Sequence, residues 1–226
     1  MEESTDKRWQ GLSEAARAQL EIRDYGEKPA QAGDYLDPDH PASIKIPGVE
    51  IVPRQVHQQP HRGFFGELAR EGELPFWPKQ WATARMFGDS AKGFHIHPPH
   101  IPDGEEPAAW FEKIFTAKEA TPPYELEQWD VMFFVQGIAE MILIDERAGM
   151  PREQLRCLID GDDRPGVNNV AIVIPAGVGH AIRSASSGDL TMVYGTSTIF
   201  DPDNEGRIAS GIEKAPLPDD WEQYLG

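Results

Sequence analysis

Gly93-Phe94-His95-Ile96-His97, read together with Pro175-Ala176-Gly177-Val178-Gly179-His180 far down the chain, decides what this sequence folds into. In an extended strand successive side chains alternate faces, so His95 and His97 point the same way, into an enclosed space if Phe94 and Ile96 face a packing layer. The Pro-x-Gly turn tucks His180 toward the same space from another strand. Asp130, which opens the apolar run Asp130-Val-Met-Phe-Phe-Val-Gln136 before Gly137, adds a carboxylate. Three imidazoles and a carboxylate can hold Fe(II), Mn(II), Ni(II), Co(II) or Zn(II), and the donor set leaves the metal's identity open. A His-x-His pair also occurs on solvated strands and in pockets without metal. The glycines, the turn before His180 and the carboxylate, in this chain order, favour a convergent pocket. His40, His57 and His61 lie in polar, proline-rich surroundings and read as surface groups, and His100 as a loop residue.

Outward from these residues the chain is a series of short β-branched and aromatic runs. They fall at Val49–Val52, Trp81–Phe87, Val131–Val135, Ala139–Ile144, Val170–Ile174 and Leu190–Tyr194, with Gly and Pro between them. Repeated short strands with such punctuation indicate an antiparallel sandwich or barrel rather than alternating βαβ units. Ser13 as a cap, the spacing of Ala15, Ala16, Leu20 and Ile22, and Gly26 beyond predict one helix over 13–23. Residues 27–48 read as an extended arm. The stretch 100–128 is too long for a hairpin turn and reads as a rim or lid over the barrel mouth, with Trp110, Phe111 and Phe115 as a small satellite core in preference to a substrate cleft. Glu140 and Asp145 read as turn or outward-facing charges, and Cys157 as a buried packing residue.

The chain has 226 residues, enough for one domain with terminal extensions: helix and arm over 1–48, barrel over 49–207, tail over 208–226. A net charge of −17 excludes a surface suited to nucleic acid or an anionic membrane, so an anionic substrate needs a local basic pocket. One cysteine cannot form an internal disulfide, and no charged-then-apolar leader opens the chain; a reducing, cytoplasmic home is the expectation.

Over about residues 49–207 the motifs resemble the cupins, and within them the dTDP-4-dehydrorhamnose 3,5-epimerases. Arg62-Gly63-Phe64-Phe65-Gly66-Glu67 resembles that family's Arg-Gly-x-Phe-x-Glu strand, and Gln80 stands before His95 as a glutamine stands before the family's catalytic histidine. Lys92-Gly93-Phe94-His95 resembles its Arg-Gly-Leu-His, with lysine for a phosphate-binding arginine. Pro175 to His180 resembles its Pro-x-Gly-x-x-His turn, Tyr194 falls where the family keeps a general-acid tyrosine, and Asp201-Pro202-Asp203-Asn204-Glu205 resembles its Asp-Pro-x-x-Glu. The resemblance implies an all-β cupin double-stranded β-helix (jelly roll), a homodimer, and a nucleotide-sugar substrate held by Arg62, Phe65, Glu67, Gln80 and Lys92, with Arg62, Phe65 and Glu67 reaching partly across the dimer interface. It implies proton abstraction beside a sugar ketone by His95 and proton return by Tyr194, chemistry that needs no metal.

Two departures matter. His97 stands where the family has glutamine, and Asp130 where it has lysine; both point to a divalent ion on His95, His97, Asp130 and His180 that polarises the carbonyl. The family's late Ser-x-x-Asp, whose aspartate orients the histidine, has no equivalent here beyond Glu213 after Ser210. The leading expectation is a metal-dependent isomerase of a carbonyl-bearing, sugar-like molecule. A metal-free 3,5-epimerase, a cupin dioxygenase and a non-catalytic small-molecule binding protein are its rivals.

Overall fold

A computed structural model of the protein describes residues 34–35, 46–88, 90–97, 99–116, 127–166 and 168–200. The expected helix over 13–23, most of the arm, Asp201 to Glu205, Glu213 and the tail lie outside these residues.

The described strands are β1 (Asp34–Tyr35), β2 (Glu50–Pro53), β3 (Gln55–Gln59), β4 (Gly63–Glu67), β5 (Gln80–Met86), β6 (Ala91–His95), β7 (Asp130–Gln136), β8 (Ile138–Asp145), β9 (Gln154–Asp160), β10 (Val170–Ile174), β11 (Val178–Ser184) and β12 (Leu190–Thr196), with one helix, α1 (Pro107–Thr116), between β6 and β7. They form two five-stranded sheets, ordered β1-β9-β8-β11-β6 and β2-β10-β7-β12-β5, and a separate β3-β4 hairpin. Apart from the short parallel pair β1-β9, the pairings are antiparallel. Neighbours such as β7 and β12, distant in sequence, make the two-sheet jelly roll that the short strands predict.

Period-two alternation places the core. Met132 and Phe134 of β7 turn inward to meet Met141, Leu143, Cys157, Ile159 and Ile172. Val131 and Phe133 turn outward and are covered by Leu74, Phe76 and Trp129. Because both faces of β7 are buried, its sequence is a continuous apolar run rather than an alternating one. Cys157 is fully buried in the inner core, as its apolar neighbours predict.

Helix α1 lies within the stretch 100–128, whose sequence reads as a rim or lid and predicts no helix there. Its signal was present: Pro107 suits a first helical turn, and Phe111, Ile114 and Phe115 recur at helical spacing. Phe111 and Ile114 are buried, and Phe115 packs on Trp129 with ring centroids 6.0 Å apart, so the aromatic residues build a satellite core. Residues 117–126 of this stretch are not described.

The sequence reads Asp145 and Glu140 as turn or outward-facing charges; Glu140 does face outward, but both are buried against arginines. Asp145 is fully buried and accepts from Arg147 Nε at 2.8 Å and from Nη2 at 2.7 Å. The Arg147 guanidinium also donates to Pro47 O at 2.9 Å and lies over Phe115, 4.6 Å from the ring centroid. Burial of a planar cation is tolerable here because a forked carboxylate and aromatic faces replace its water. Gly177, at φ 81°, lies against this guanidinium's stem; a Cβ there would stand 2.4 Å from Arg147 Cγ. Glu140, on the outer face of its sheet, is buried between Arg156 and Arg183 and accepts from the Nε of each.

Candidate active site

A cavity of about 240 Å³ opens between the two sheets. His95, His180 and Lys92 line it from one sheet, and Asp130 and Tyr194 from the other, over an apolar floor of Met132, Ile182 and Met192. His97, just past the end of β6, and Gln128, just before β7, complete the polar wall.

The side chains arrive by different local devices. His95 pairs with His180 across β6-β11, which sets the rings edge to face with centroids 5.7 Å apart. His97 follows at the same facing two residues on, and its carbonyl accepts from Gly177 N at 2.6 Å, tying the end of β6 to the turn that launches His180. Lys92 lies three residues before His95, so strict alternation would turn it away. The register, however, shifts: Lys92 pairs with Ile182 and His95 with His180, leaving one extra residue on β6. This bulge brings Lys92 to the cavity side. Gly93 permits it, at φ 130° with Ala181 Cβ 2.6 Å from where its own Cβ would be.

Around Asp130 the polar atoms form a tight group. Its Oδ2 lies 3.5 Å from His97 Nε2 and 3.6 Å from His180 Nε2, and its Oδ1 accepts from Gln128 Nε2 at 3.0 Å. Burial by itself would raise the Asp130 carboxyl, but the adjacent His97, then His180 and the Gln128 amide, more than reverse this and hold it at about 2. Asp130 is therefore a carboxylate at neutral pH.

As placed, these groups do not close on a metal. Among the described residues no group of three or more His, Cys, Asp or Glu side chains is arranged to hold one. The Gln128 amide nitrogen also stands 3.0 Å from His97 Nε2, where a metal would need that nitrogen's lone pair.

Of the residues expected to hold substrate, Lys92 lines the cavity. Arg62, Phe65 and Glu67 lie on the exposed β3-β4 hairpin, where Glu67 pairs with Arg70 at 2.6 Å, and Gln80 accepts from Phe200 N at 2.7 Å at the start of β5. None of these four is in the cavity lining of this chain.

Two polar residues beside the cluster were not anticipated. Gln128 gave no motif signal; it lies just before β7 and reaches Asp130 through its amide, which donates to Oδ1 at 3.0 Å. Glu127 is buried, accepts from His100 N, and receives Trp129 Nε1 at 3.4 Å, so it joins the loop after His97 to the strand that carries Asp130. Burial pushes its carboxyl up to about 7, against the opposing influence of the His100 and Trp129 donors and of Arg147. Because the folded value lies above the unfolded one, the folded protein binds the extra proton between about pH 4.5 and 7; stability is lost as pH rises through that window and levels off above it. Glu127→Gln keeps an acceptor for His100 and removes the titration. Its melting temperature should exceed that of the wild type at pH 8, with the difference vanishing near pH 4.5; equal curves at both pH values would refute this.

Comparison with known proteins bears on the fold. No family model matches the chain. The spore coat polysaccharide biosynthesis protein SpsL of Bacillus subtilis is 28% identical over 169 residues, covering 72% of this chain and 89% of that protein. Among solved structures, ChmJ, a 3'-monoepimerase from Streptomyces bikiniensis in complex with dTDP-quinovose, aligns with a TM-score of 0.52 at 21% identity, over 78% of each chain. NovW, a 4-keto-6-deoxy sugar epimerase from Streptomyces spheroides, aligns at 0.51 and 19%, over 79% of this chain and 75% of that one. RmlC of Legionella pneumophila, in complex with dTDP-4-keto-L-rhamnose, aligns at 0.51 and 15%, over 71% and 72%. No helix among the described residues is long and apolar enough to cross a membrane. The chain thus shares the two-sheet jelly-roll fold of these sugar epimerase structures.

Proposed function

We propose that this protein is an epimerase that inverts a carbon beside the ketone of a nucleotide-linked keto sugar. The observation that carries the reading is the placement of His95 and Tyr194 on opposing sheets of one cavity, with Lys92 in the same lining. Inversion requires a proton to leave one face of a carbon and another to arrive on the opposite face. An imidazole on one wall and a phenol on the other meet that requirement.

In this reading His95 removes the proton next to the ketone, and electron density moves to the ketone oxygen as an enolate. Lys92 supplies the cation of the cavity, either for that oxygen or for a substrate phosphate. Tyr194 then donates its phenolic proton to the other face of the carbon, and solvent reprotonates it. Met132, Met192 and Ile182 keep the ring's apolar edge dry, which strengthens each of these electrostatic contacts. The likeness to epimerases of keto sugars supports the substrate class, as does SpsL's part in polysaccharide biosynthesis. The exposed hairpin with Phe64 and Phe65 fits a homodimer in which Arg62, Phe65 and Glu67 serve a partner's cavity.

The test is incubation with a dTDP-4-keto-6-deoxyhexose and product analysis by NMR. A new epimer of unchanged mass, formed without oxygen consumption, supports the reading; oxygen-dependent cleavage would favour a dioxygenase, and unchanged sugar a binding protein. Tyr194→Phe should lower epimer formation at least about 100-fold while proton exchange beside the ketone continues, because only the returning proton is lost.

A further inference from the structure

We propose that Glu127 and Gln128 form a clasp between the two sheets that sets the distance from the His95 wall to the Tyr194 wall, with Thr198 as the positioning residue that holds the clasp shut. The proposal rests on the epimerase reading above and adds to it what keeps the two proton-transferring groups in place. Packed sheets are ordinarily spaced by the side chains between them. Here a cavity of about 240 Å³ takes the place of that filling between His95 and Tyr194, so the spacing at this end needs another source.

The chain beyond β6 is tied to the first sheet, because His97 O accepts from Gly177 N in the turn that enters β11. The chain beyond β12 is tied to the second. Ser197 N donates to Trp129 O at 2.9 Å, and Trp129 N donates back to Ser197 Oγ at 2.8 Å, just ahead of β7. Glu127 and Gln128 join these two segments. A Glu127 carboxyl oxygen accepts from His100 N, while the Glu127 carbonyl accepts from Ser197 Oγ at 3.0 Å. The Gln128 amide nitrogen stands 3.0 Å from His97 Nε2 and donates to Asp130 Oδ1 at 3.0 Å. Its Oε1 accepts from the Thr198 hydroxyl at 2.9 Å.

His97 lies two residues beyond His95, and Thr198 four beyond Tyr194, so a shift of the clasp is felt on both walls. Thr198 is not in the cavity lining, whereas Gln128 is. Thr198 therefore acts through the amide rather than on a substrate. Without its hydroxyl the Gln128 oxygen loses its donor, and the amide is free to turn away from His97 and Asp130.

The test incubates full-length protein with a dTDP-4-keto-6-deoxyhexose in D2O and reads deuterium uptake beside the ketone separately from inversion. In Thr198→Val, exchange per inversion should rise roughly tenfold or more, because His95 still takes and returns the proton while Tyr194 is displaced, and a shift of about 1 Å is enough. KM should stay within about twofold. Thr198→Ser, which restores the hydroxyl, should restore the wild-type ratio. In a Gln128→Met background Thr198→Val should add nothing, since both changes act through one amide. Without substrate, NMR amide exchange at His100 and Trp129 should run roughly threefold to tenfold faster in Thr198→Val, the scale of one hydrogen bond. An unchanged exchange-to-inversion ratio in Thr198→Val overturns the proposal, as does an effect that persists in the Gln128→Met background. Wild type that turns over no keto sugar defeats the epimerase reading, and amide exchange then decides the clasp: unchanged rates overturn it.

Discussion

His95→Gln is expected to reduce epimer formation by about 100-fold to 10,000-fold, the range lost when a positioned general base is removed. Glutamine retains much of the volume and a polar end, so the β6-β11 pairing that sets His95 opposite His180 should persist, and circular dichroism should be unchanged. The informative signature is in the split of the kinetic constants. Loss confined to kcat assigns the imidazole to the proton step, whereas loss carried by KM would make His95 a substrate-binding group instead. Steady-state kinetics on the keto sugar nucleotide decides between them.

The largest expected effect on stability lies away from the cavity. Arg147→Ala leaves the Asp145 carboxylate uncompensated at full burial and removes the cation lying over Phe111 and Phe115. Breaking one side of a buried pair costs about 3–5 kcal/mol, which for a chain of this size lowers the melting temperature by roughly 6–20 °C. The loss should also loosen α1 and the segment at Pro47, which the guanidinium joins to the end of β8. Replacing both partners by apolar residues of similar volume should cost much less than Arg147→Ala alone. Thermal melts of the single and double variants check this; equal losses would show that the pair's charges are not what holds this corner.

The fold was legible because its signals are local and periodic. The apolar runs at Val131–Val135, Ala139–Ile144, Val170–Ile174 and Leu190–Tyr194 all become strands. Strand β9 was hidden because Arg156, paired with Glu140, interrupts its apolar pattern, and the two-residue β1 and the polar β3 carry no apolar run at all. Helix α1 was masked by the prolines around it. The burial of Asp145 and Glu140 was not foreseen because burial of a charge depends on its partner, and their arginines sit on other turns or strands, which spacing does not reveal.

In the site, alternation placed His95 and His97 on one side, and the turn motif delivered His180 to them. Asp130 joins the same cluster. Lys92 reached the cavity through a bulge rather than by alternation, and the resemblance, not the period, pointed to it. Gln128 was missed because a lone glutamine carries no motif. Its importance arises only when β7 brings it between His97 and Asp130, with Thr198 behind it.

The central claim is that His95 and Tyr194 exchange protons with a carbon beside a ketone held between the sheets. It is tested most directly by incubating the wild-type protein with a dTDP-4-keto-6-deoxyhexose in D2O and reading the sugar by NMR and mass spectrometry. The account predicts deuterium at a carbon flanking the ketone, with inversion there, and neither in His95→Gln. Sugar that binds at saturating protein yet is recovered without deuterium would contradict it.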